Sequence, residues 1–432
     1  MLKPEDNDIL TQTDRGTPMG DMMRRFWIPF MTAKEVPEAD GAPVRVTLLG
    51  EQLLAFRDTD GRVGLIDEFC PHRRSSLFFG RNEECGIRCV YHGWKFDVNG
   101  TCVEVPSEPA DSTLARKVRL TAYPVREAGG VLWAYMGPAG QEGALPNIEW
   151  LTLPATHVYV SRWQQESNYF QALEGEVDSS HVSFLHRVLD ARDAPKGSLS
   201  GAYFRNDTAP KWTIDPNPQG LTLAARRTVE DGAGYWRMNQ FMLPFYTMIA
   251  PEPGGFITNR MWVPMDDTHC WVICATYRPD KALTEDDLEK FTTGKFAHRR
   301  VLPGTTIPME RKENDYGLDR KAQKTVSYTG IPGVRAQDAM VTETAGPIAD
   351  RSKEHLGTSD TAIIAARKVM IEAAKGFRDG KVPEAAKGGD LYAVRSWSSI
   401  LPASVKSYRD DPETMAAMRT AGGKGERQKV DA

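Results

Sequence analysis

The sequence predicts an α+β chain in three parts: an N-terminal all-β unit over residues 1–150, a second domain over 151–407 in which an antiparallel sheet curls round a helix, and a charged tail over 408–432. Three observations carry this. Turn residues at Gly50-Glu51 and Asp58-Thr59-Asp60-Gly61 separate apolar runs at 44–49, 52–56 and 63–66, an even spacing typical of all-β units. Residues 212–278 alternate like a twisted antiparallel sheet, with Glu230-Asp231-Gly232-Ala233-Gly234 joining strands 221–229 and 235–246. Asp266-Asp267 turns strand 256–264 into strand 269–277. Helical character runs from Ser167 to about Leu189 and again over 360–375.

The elements follow in order. Residues 1–20 are polar, with a turn at Gly16-Thr17-Pro18. Residues 22–30 hold Arg24-Arg25-Phe26-Trp27-Ile28-Pro29 and read as a helix ending before proline, its aromatics plugging the domain edge. After strands 44–66, Lys95-Phe96-Asp97 and Asn99-Gly100 predict a further hairpin. Strands continue to 131–136, and the pattern thins near Pro146. Residues 157–164 read as a strand, 284–294 as a helix and 295–336 as a long irregular region.

Composition narrows the function classes. A chain of 432 residues can build two cores, and 41% hydrophobic with 26% charged residues is ordinary for a globular protein. The net charge of −4 gives no bulk attraction to nucleic acid, and no apolar run reaches membrane-spanning length. Met1-Leu2-Lys3-Pro4-Glu5-Asp6 lacks the charged-then-apolar signal pattern, so a cytoplasmic location is expected. Cys85, Cys102, Cys270 and Cys274 show no disulfide framework, which suits a reducing compartment. Cys270 and Cys274, four apart in an apolar strand, read as packing residues.

The chemistry starts at Cys70-Pro71-His72, followed after sixteen residues by Cys89-Val90-Tyr91-His92. Two Cys–His clips suit a soft or borderline metal. A Cys₂His₂ zinc site and a [2Fe–2S] centre with two cysteines on one iron and two histidines on the other both use this donor set. The surroundings favour iron–sulfur. Pro71 stiffens one clip, Gly93 and Trp94 close the other, and each loop supplies one donor of each kind. A zinc finger more often pairs Cys with Cys and His with His.

A second constellation is Asp178-x₂-His181-x₄-His186. Asp178 and His181 share a helix face, but His181 and His186 lie about 140° apart on an ideal helix. They converge only if the helix bulges or ends between them. Two imidazoles and one carboxylate with open positions make a non-haem Fe(II) oxygenase site. The bland alternative, an amphipathic helix with two buried histidines, loses ground because a cluster motif lies upstream.

Cys70-Pro71-His72-Arg73 and Cys89-Val90-Tyr91-His92-Gly93-Trp94 resemble the two halves of the Rieske motif of ring-hydroxylating oxygenases, and with the second constellation the resemblance is nearly full-length. The chain is most similar to the oxygenase (α) component of phthalate-type enzymes. The resemblance implies a helix-grip (START-like) catalytic domain, one [2Fe–2S] cluster and one mononuclear Fe(II). It implies that the iron's carboxylate comes late, in Gln337-Asp338-Ala339-Met340-Val341-Thr342-Glu343, with Asp338 preferred over Glu343. Asp178 then bridges to cluster ligand His72 or His92 of a neighbouring chain in a trimer or pair of trimers. Gly175 stands where some relatives carry a polar residue. No dinucleotide fingerprint is present, so a separate NAD(P)H-dependent reductase is implied.

The expected reaction is oxygenation of an aromatic carboxylate, dioxygenation of a phthalate-like ring leading and O-demethylation of a methoxylated acid second. An acid substrate needs cations among apolar walls. Arg237, on an expected pocket-lining strand, and Lys211 are the leading candidates, with Arg226 and Arg227 behind them.

Overall fold

A computed structural model describes residues 2–189 and 199–420. Helices α1 (Pro4–Thr11) and α2 (Pro18–Met23) open the chain. β1 (Trp27–Thr32) follows, then the meander β2 (Val44–Leu48), β3 (Glu51–Arg57) and β4 (Val63–Asp67). The short strands β5 (Arg81–Glu83), β6 (Gly86–Arg88), β7 (Lys95–Phe96) and β8 (Cys102–Glu104) form a second sheet. β9 (Val125–Ala128) and β10 (Val131–Tyr135) complete a third with β1.

The second half wraps one large sheet round a helix. β11 (Val158–Gln165) leads to α3 (Tyr169–Val177) and, after the undescribed stretch, α4 (Leu199–Asn206). Strands β12 (Lys211–Asn217), β13 (Gly220–Thr228), β14 (Gly234–Met242), β15 (Tyr246–Ile249), β16 (Ile257–Pro264) and β17 (Cys270–Tyr277) pair antiparallel in sequence order, and β11 closes the far edge on β17. Helices α5 (Glu285–Thr292), α6 (Arg320–Thr325), α7 (Val334–Thr344) and α8 (Thr361–Arg378) follow. β18 (Trp397–Leu401), paired with β14, and α9 (Pro412–Ala417) end the described chain.

Several expectations need correction. The helix placed over 22–30 ends at Met23, and β1 contains Pro29. Its missing N–H is tolerated because β1 is a sheet edge and the register slips between Pro29 and Met31. The strand expected over 235–246 breaks after Met242, where Pro244 cannot donate to a ladder. The irregular region holds α6 and the start of α7. Of the charged tail expected over 408–432, the first part packs onto the sheet. Tyr408 is buried against Trp236, and Arg409 pairs with Asp215. Residues 421–432 lie outside the described part.

Two cores organise this architecture. One, with Leu54, Phe56, Ile66, Leu77, Ile87 and Phe96, sits beneath the two Cys–His loops. The other runs without interruption from Met22 and Trp27 through Trp133 and Trp150 to Phe170, Met261 and Met370, so β1, β9 and β10 share a core with the second domain. Trp150 Nε1 donates to Asn259 Oδ1 at 3.0 Å inside that seam.

Helix α3 is fixed at its N-terminus and in its interior. Asn168 caps it by accepting from the Phe170 N–H at 3.1 Å, while its amide donates to the Thr11 and Asp267 carbonyls. Midway, buried Glu174 accepts from Arg351 and Arg367, which anchors the helix to α8.

Candidate metal centres

The first Cys–His loop follows β4. The Cys70 N–H donates to Ser75 O at 2.9 Å and the Arg74 N–H returns to Cys70 O at 2.8 Å. The second loop repeats the device between β6 and β7: Cys89 N–H to Trp94 O at 2.8 Å, Gly93 N–H to Cys89 O at 3.0 Å. Gly93 has φ +75°, and a Cβ there would stand 2.7 Å from Pro106, so the turn requires glycine. Both thiols are buried. Burial pushes the Cys70 thiol up to about 11, the backbone at His72 works against this, and the adjacent Cys89 thiol adds to it. The imidazoles of His72 and His92 lie 4.5 Å apart, and Trp94 stacks flat on His72 at 4.5 Å. Among the described residues His92 Nδ1 is buried without a hydrogen-bond partner. Two thiols and two imidazoles, one orphaned, fit the donor set of a Rieske [2Fe–2S] cluster.

The second constellation assembles because α3 stops. Asp178 is its extended C-cap, and its carboxylate accepts from the Ser180 N–H at 2.6 Å and the His181 N–H at 3.3 Å. A short acidic side chain thus competes with the helix for backbone donors and ends it. The helical run expected to Leu189 therefore breaks at Asp178, and the short 3₁₀ turn His181–Ser183 swings His186 back toward His181.

α7, entered through Gly333 at φ +78°, brings Asp338 to the same point. His181, His186 and Asp338 each offer a donor atom within 4.8 Å of the others. His181 Nε2 lies 3.2 Å from His186 Nε2, and Asp338 Oδ1 lies 3.6 and 3.2 Å from them. The outer nitrogens fix the tautomers. Gln337 Nε2 donates to Ile331 O, so its Oε1 accepts from His186 Nδ1–H at 2.7 Å. His181 Nδ1–H faces Asp178 Oδ2 at 3.3 Å. Each Nε2 therefore presents a lone pair to the centre. Three donor atoms converging within 4.8 Å of one another can hold a cation, which fits an iron site. Burial works against ionising Asp338, but the Arg335 charge and then His186 hold its carboxyl well below the usual range. Burial likewise opposes charge on His181, yet Asp178 and then Asp338 leave its pKa raised.

Glu343, the alternative carboxylate, is elsewhere: it accepts from Tyr316 Oη at 2.8 Å. The sequence reading missed Arg335, Gln337 as a partner of His186, and Ser179. Arg335 and Asp338 are three apart on α7, a spacing that signals a shared face.

Two arginines gather beside Ser179, next to Asp178. Arg237 on β14 faces Ala225 on β13, so Arg227, two residues along, shares its face. Both reach Ser179, next to Asp178: Arg227 Nη1 at 3.1 Å and Arg237 Nη1 at 3.4 Å from Oγ. Both are buried, and both lie over the Phe204 ring. Among the described residues neither forms an ion pair. Burial, then the Arg237 charge, pulls Arg227 down to about 10. Lys211 is not part of this group. It is exposed on edge strand β12 opposite Arg226, on the other face. Beside His181 an apolar cleft of about 670 Å³ is lined by Phe184, Leu185, Tyr328, Ile331 and Met340.

A cluster cradle on an all-β unit, followed by a two-histidine, one-carboxylate centre at the end of a sheet-wrapped helix, defines an oxygenase that receives electrons through iron–sulfur. Residues 26–124 match the Rieske [2Fe-2S] domain family, and residues 134–421 match the family described as LigXa C-terminal domain like. The chain belongs to the Rieske non-haem iron ring-hydroxylating oxygenases, phthalate dioxygenase-like group, as an oxygenase component: an oxidoreductase with a [2Fe–2S] cluster and a mononuclear iron. It is 42% identical to the phthalate 4,5-dioxygenase oxygenase subunit of Pseudomonas putida over 88% of each chain. It is 37% identical to the 3-chlorobenzoate-3,4-dioxygenase oxygenase subunit of Comamonas testosteroni over 98% of this chain and 99% of that one. The solved structure of Pseudomonas putida CBB5 NdmA with caffeine shares the fold, at TM-score 0.58 and 19% identity over 86% of this chain and 97% of that one. Among the described residues no helix is long and apolar enough to cross a membrane.

Proposed function

We propose that this oxygenase component dioxygenates a phthalate-like aromatic dicarboxylate, using O₂ and electrons from a separate NAD(P)H-dependent reductase. The observation that carries the substrate class is the pair Arg227 and Arg237. Two buried guanidiniums side by side, with no carboxylate paired to them among the described residues, are costly unless an anion compensates them. Two carboxylates on adjacent ring carbons offer one anion per arginine, and planar guanidinium suits bidentate recognition. The two dioxygenase relatives named for phthalate and chlorobenzoate support an aromatic acid.

In this reading Cys70, His72, Cys89 and His92 hold the cluster, and His181, His186 and Asp338 hold the mononuclear iron. The iron supplies O₂ activation when bound. Gln337 and Asp178 keep the two imidazoles turned with Nε2 inward. The apolar cleft beside His181 offers the ring a water-poor approach. Arg227, Arg237 and Ser179 orient the acid. His72 is exposed at the tip of its loop, beside exposed Val90 and Tyr91, available to a neighbouring chain. Asp178 then links that chain's His72 or His92 to His181 in a head-to-tail trimer or pair of trimers.

The test is a binding series on the iron-loaded protein with phthalate, benzoate and toluene. Affinity falling in that order by steps of tenfold or more supports a two-cation subsite. Equal affinity for phthalate and benzoate rejects it.

A further inference from the structure

The carboxylate of Asp338 does not face the two histidines symmetrically. Oδ1 points at both Nε2 atoms, whereas Oδ2 is 2.6 Å from Arg335 Nη2, an ion pair without an aligned hydrogen bond, and has no hydrogen-bond partner among the described residues. Arg335 is itself held from behind. Its Nη1 pairs with Glu176 Oε1, and Glu176 Oε2 pairs with Arg260 Nη1 at 2.5 Å. Arg260 Nη2 donates to Ala297 O at 3.2 Å. The row Asp338–Arg335–Glu176–Arg260 alternates in sign; Arg335, Glu176 and Arg260 are buried and Asp338 is partly buried. Glu176 lies two residues before Asp178, so the segment that positions the outer partner of His181 also positions Arg335.

We infer that Arg335 is a positioning residue that commits Asp338 Oδ2 to an ion pair, so that the carboxylate offers the iron a single oxygen and leaves an additional coordination position open for O₂. This rests on the assignment of His181, His186 and Asp338 as iron ligands. A free carboxylate binds hard cations through one oxygen or two. Here the second oxygen already has a cation, and a bound metal competes with it. Glu176 offsets the Arg335 charge, which otherwise repels the metal. The two members of the row therefore act on the metal in opposite directions.

The experiment starts from protein stripped of mononuclear iron with the Rieske spectrum retained. It is titrated with Fe(II) alone, and the coordination number is read by near-infrared magnetic circular dichroism. In Arg335→Gln the freed Oδ2 joins the coordination sphere. The coordination number rises by one and Fe(II) binds more tightly, by about tenfold for one removed like charge. In Glu176→Gln the coordination number stays that of the wild type, and Fe(II) binds about tenfold more weakly because Arg335 is left uncompensated. Arg335→Lys keeps the cation and restores the wild-type spectrum, and it serves where Arg335→Gln does not fold. Weaker binding in Arg335→Gln with an unchanged coordination number, or a Lys variant that shows the higher coordination number, overturns the inference. Wild-type protein that takes up no Fe(II), or takes it up equally well after His181→Ala, instead rejects the underlying iron assignment.

Discussion

Replacing Arg237 by Gln removes one of the two cations beside Ser179 and leaves the sheet intact, since among the described residues the side chain's hydrogen bonds are long, 3.4 Å to Ser179 Oγ and 3.3 Å to Ala250 O. Its Nε makes none among the described residues, which leaves most of its five donors spare for a ligand there. Breaking a buried charge pair costs about 3–5 kcal/mol. Arg227 remains to hold one carboxylate, so the lower end applies: about 3 kcal/mol, or roughly 10²-fold in kcat/KM for phthalate. A monocarboxylate such as benzoate needs only one cation and loses less than about tenfold, below 1.4 kcal/mol. The assay is product formation with a reconstituted electron donor, with iron content and the Rieske spectrum as controls for folding. A loss below about threefold for phthalate, or equal losses for phthalate and benzoate, refutes the two-cation reasoning.

Other consequences follow from the same geometry. Asp178→Asn keeps both metal centres but weakens the link to His181, and single-turnover product formation slows by roughly 10- to 100-fold with both spectra unchanged. Gln337→Leu removes the acceptor that turns His186 inward, and Fe(II) affinity falls by roughly 10- to 100-fold in a metal titration. Glu174→Gln leaves Arg351 and Arg367 buried without their shared anion, a loss of about 3–5 kcal/mol readable as a lower denaturant midpoint. The pH dependence has a definite sign. Burial raises Glu174, but Arg351 and Arg367 outweigh it and hold the folded-state pKa below its ordinary 4.5. Its stabilisation is present above that value and is lost as pH falls through the folded pKa, so the wild type loses stability in acid more steeply than Glu174→Gln.

Much of the site was legible in the sequence because its chemistry is local. Cys70–His72 and Cys89–His92 sit in tight loops whose Pro71 and Gly93 announce the turns. His181 and His186 were readable as a pair only on condition that the helix ended. The reason it ends, the Asp178 carboxylate taking the Ser180 and His181 N–H groups, is a choice between side chain and helix that periodicity does not resolve. Asp338 was reached by resemblance, since nothing in spacing joins residues 152 positions from His186. Lys211 and Arg237 looked alike as cations on strands, and register separates them: Arg227 and Arg237 share the face toward Ser179, whereas Lys211 pairs with Arg226 on the other. The strand character of residues 27–32 was hidden because Pro29 reads as a helix stop until an edge strand with a slipped register accommodates it. The packed end at Tyr408 was hidden by the charged residues around it.

The most direct test of the account is a single turnover of the chemically reduced protein, both centres loaded, with phthalate and ¹⁸O₂. The expected product is a cis-dihydrodiol dicarboxylate carrying both oxygen atoms of one O₂ molecule. Formaldehyde and a phenol from a methoxybenzoate, with phthalate unchanged, would contradict the dioxygenase assignment and leave an O-demethylating monooxygenase. No product from any aromatic carboxylate would contradict the substrate class proposed from Arg227 and Arg237.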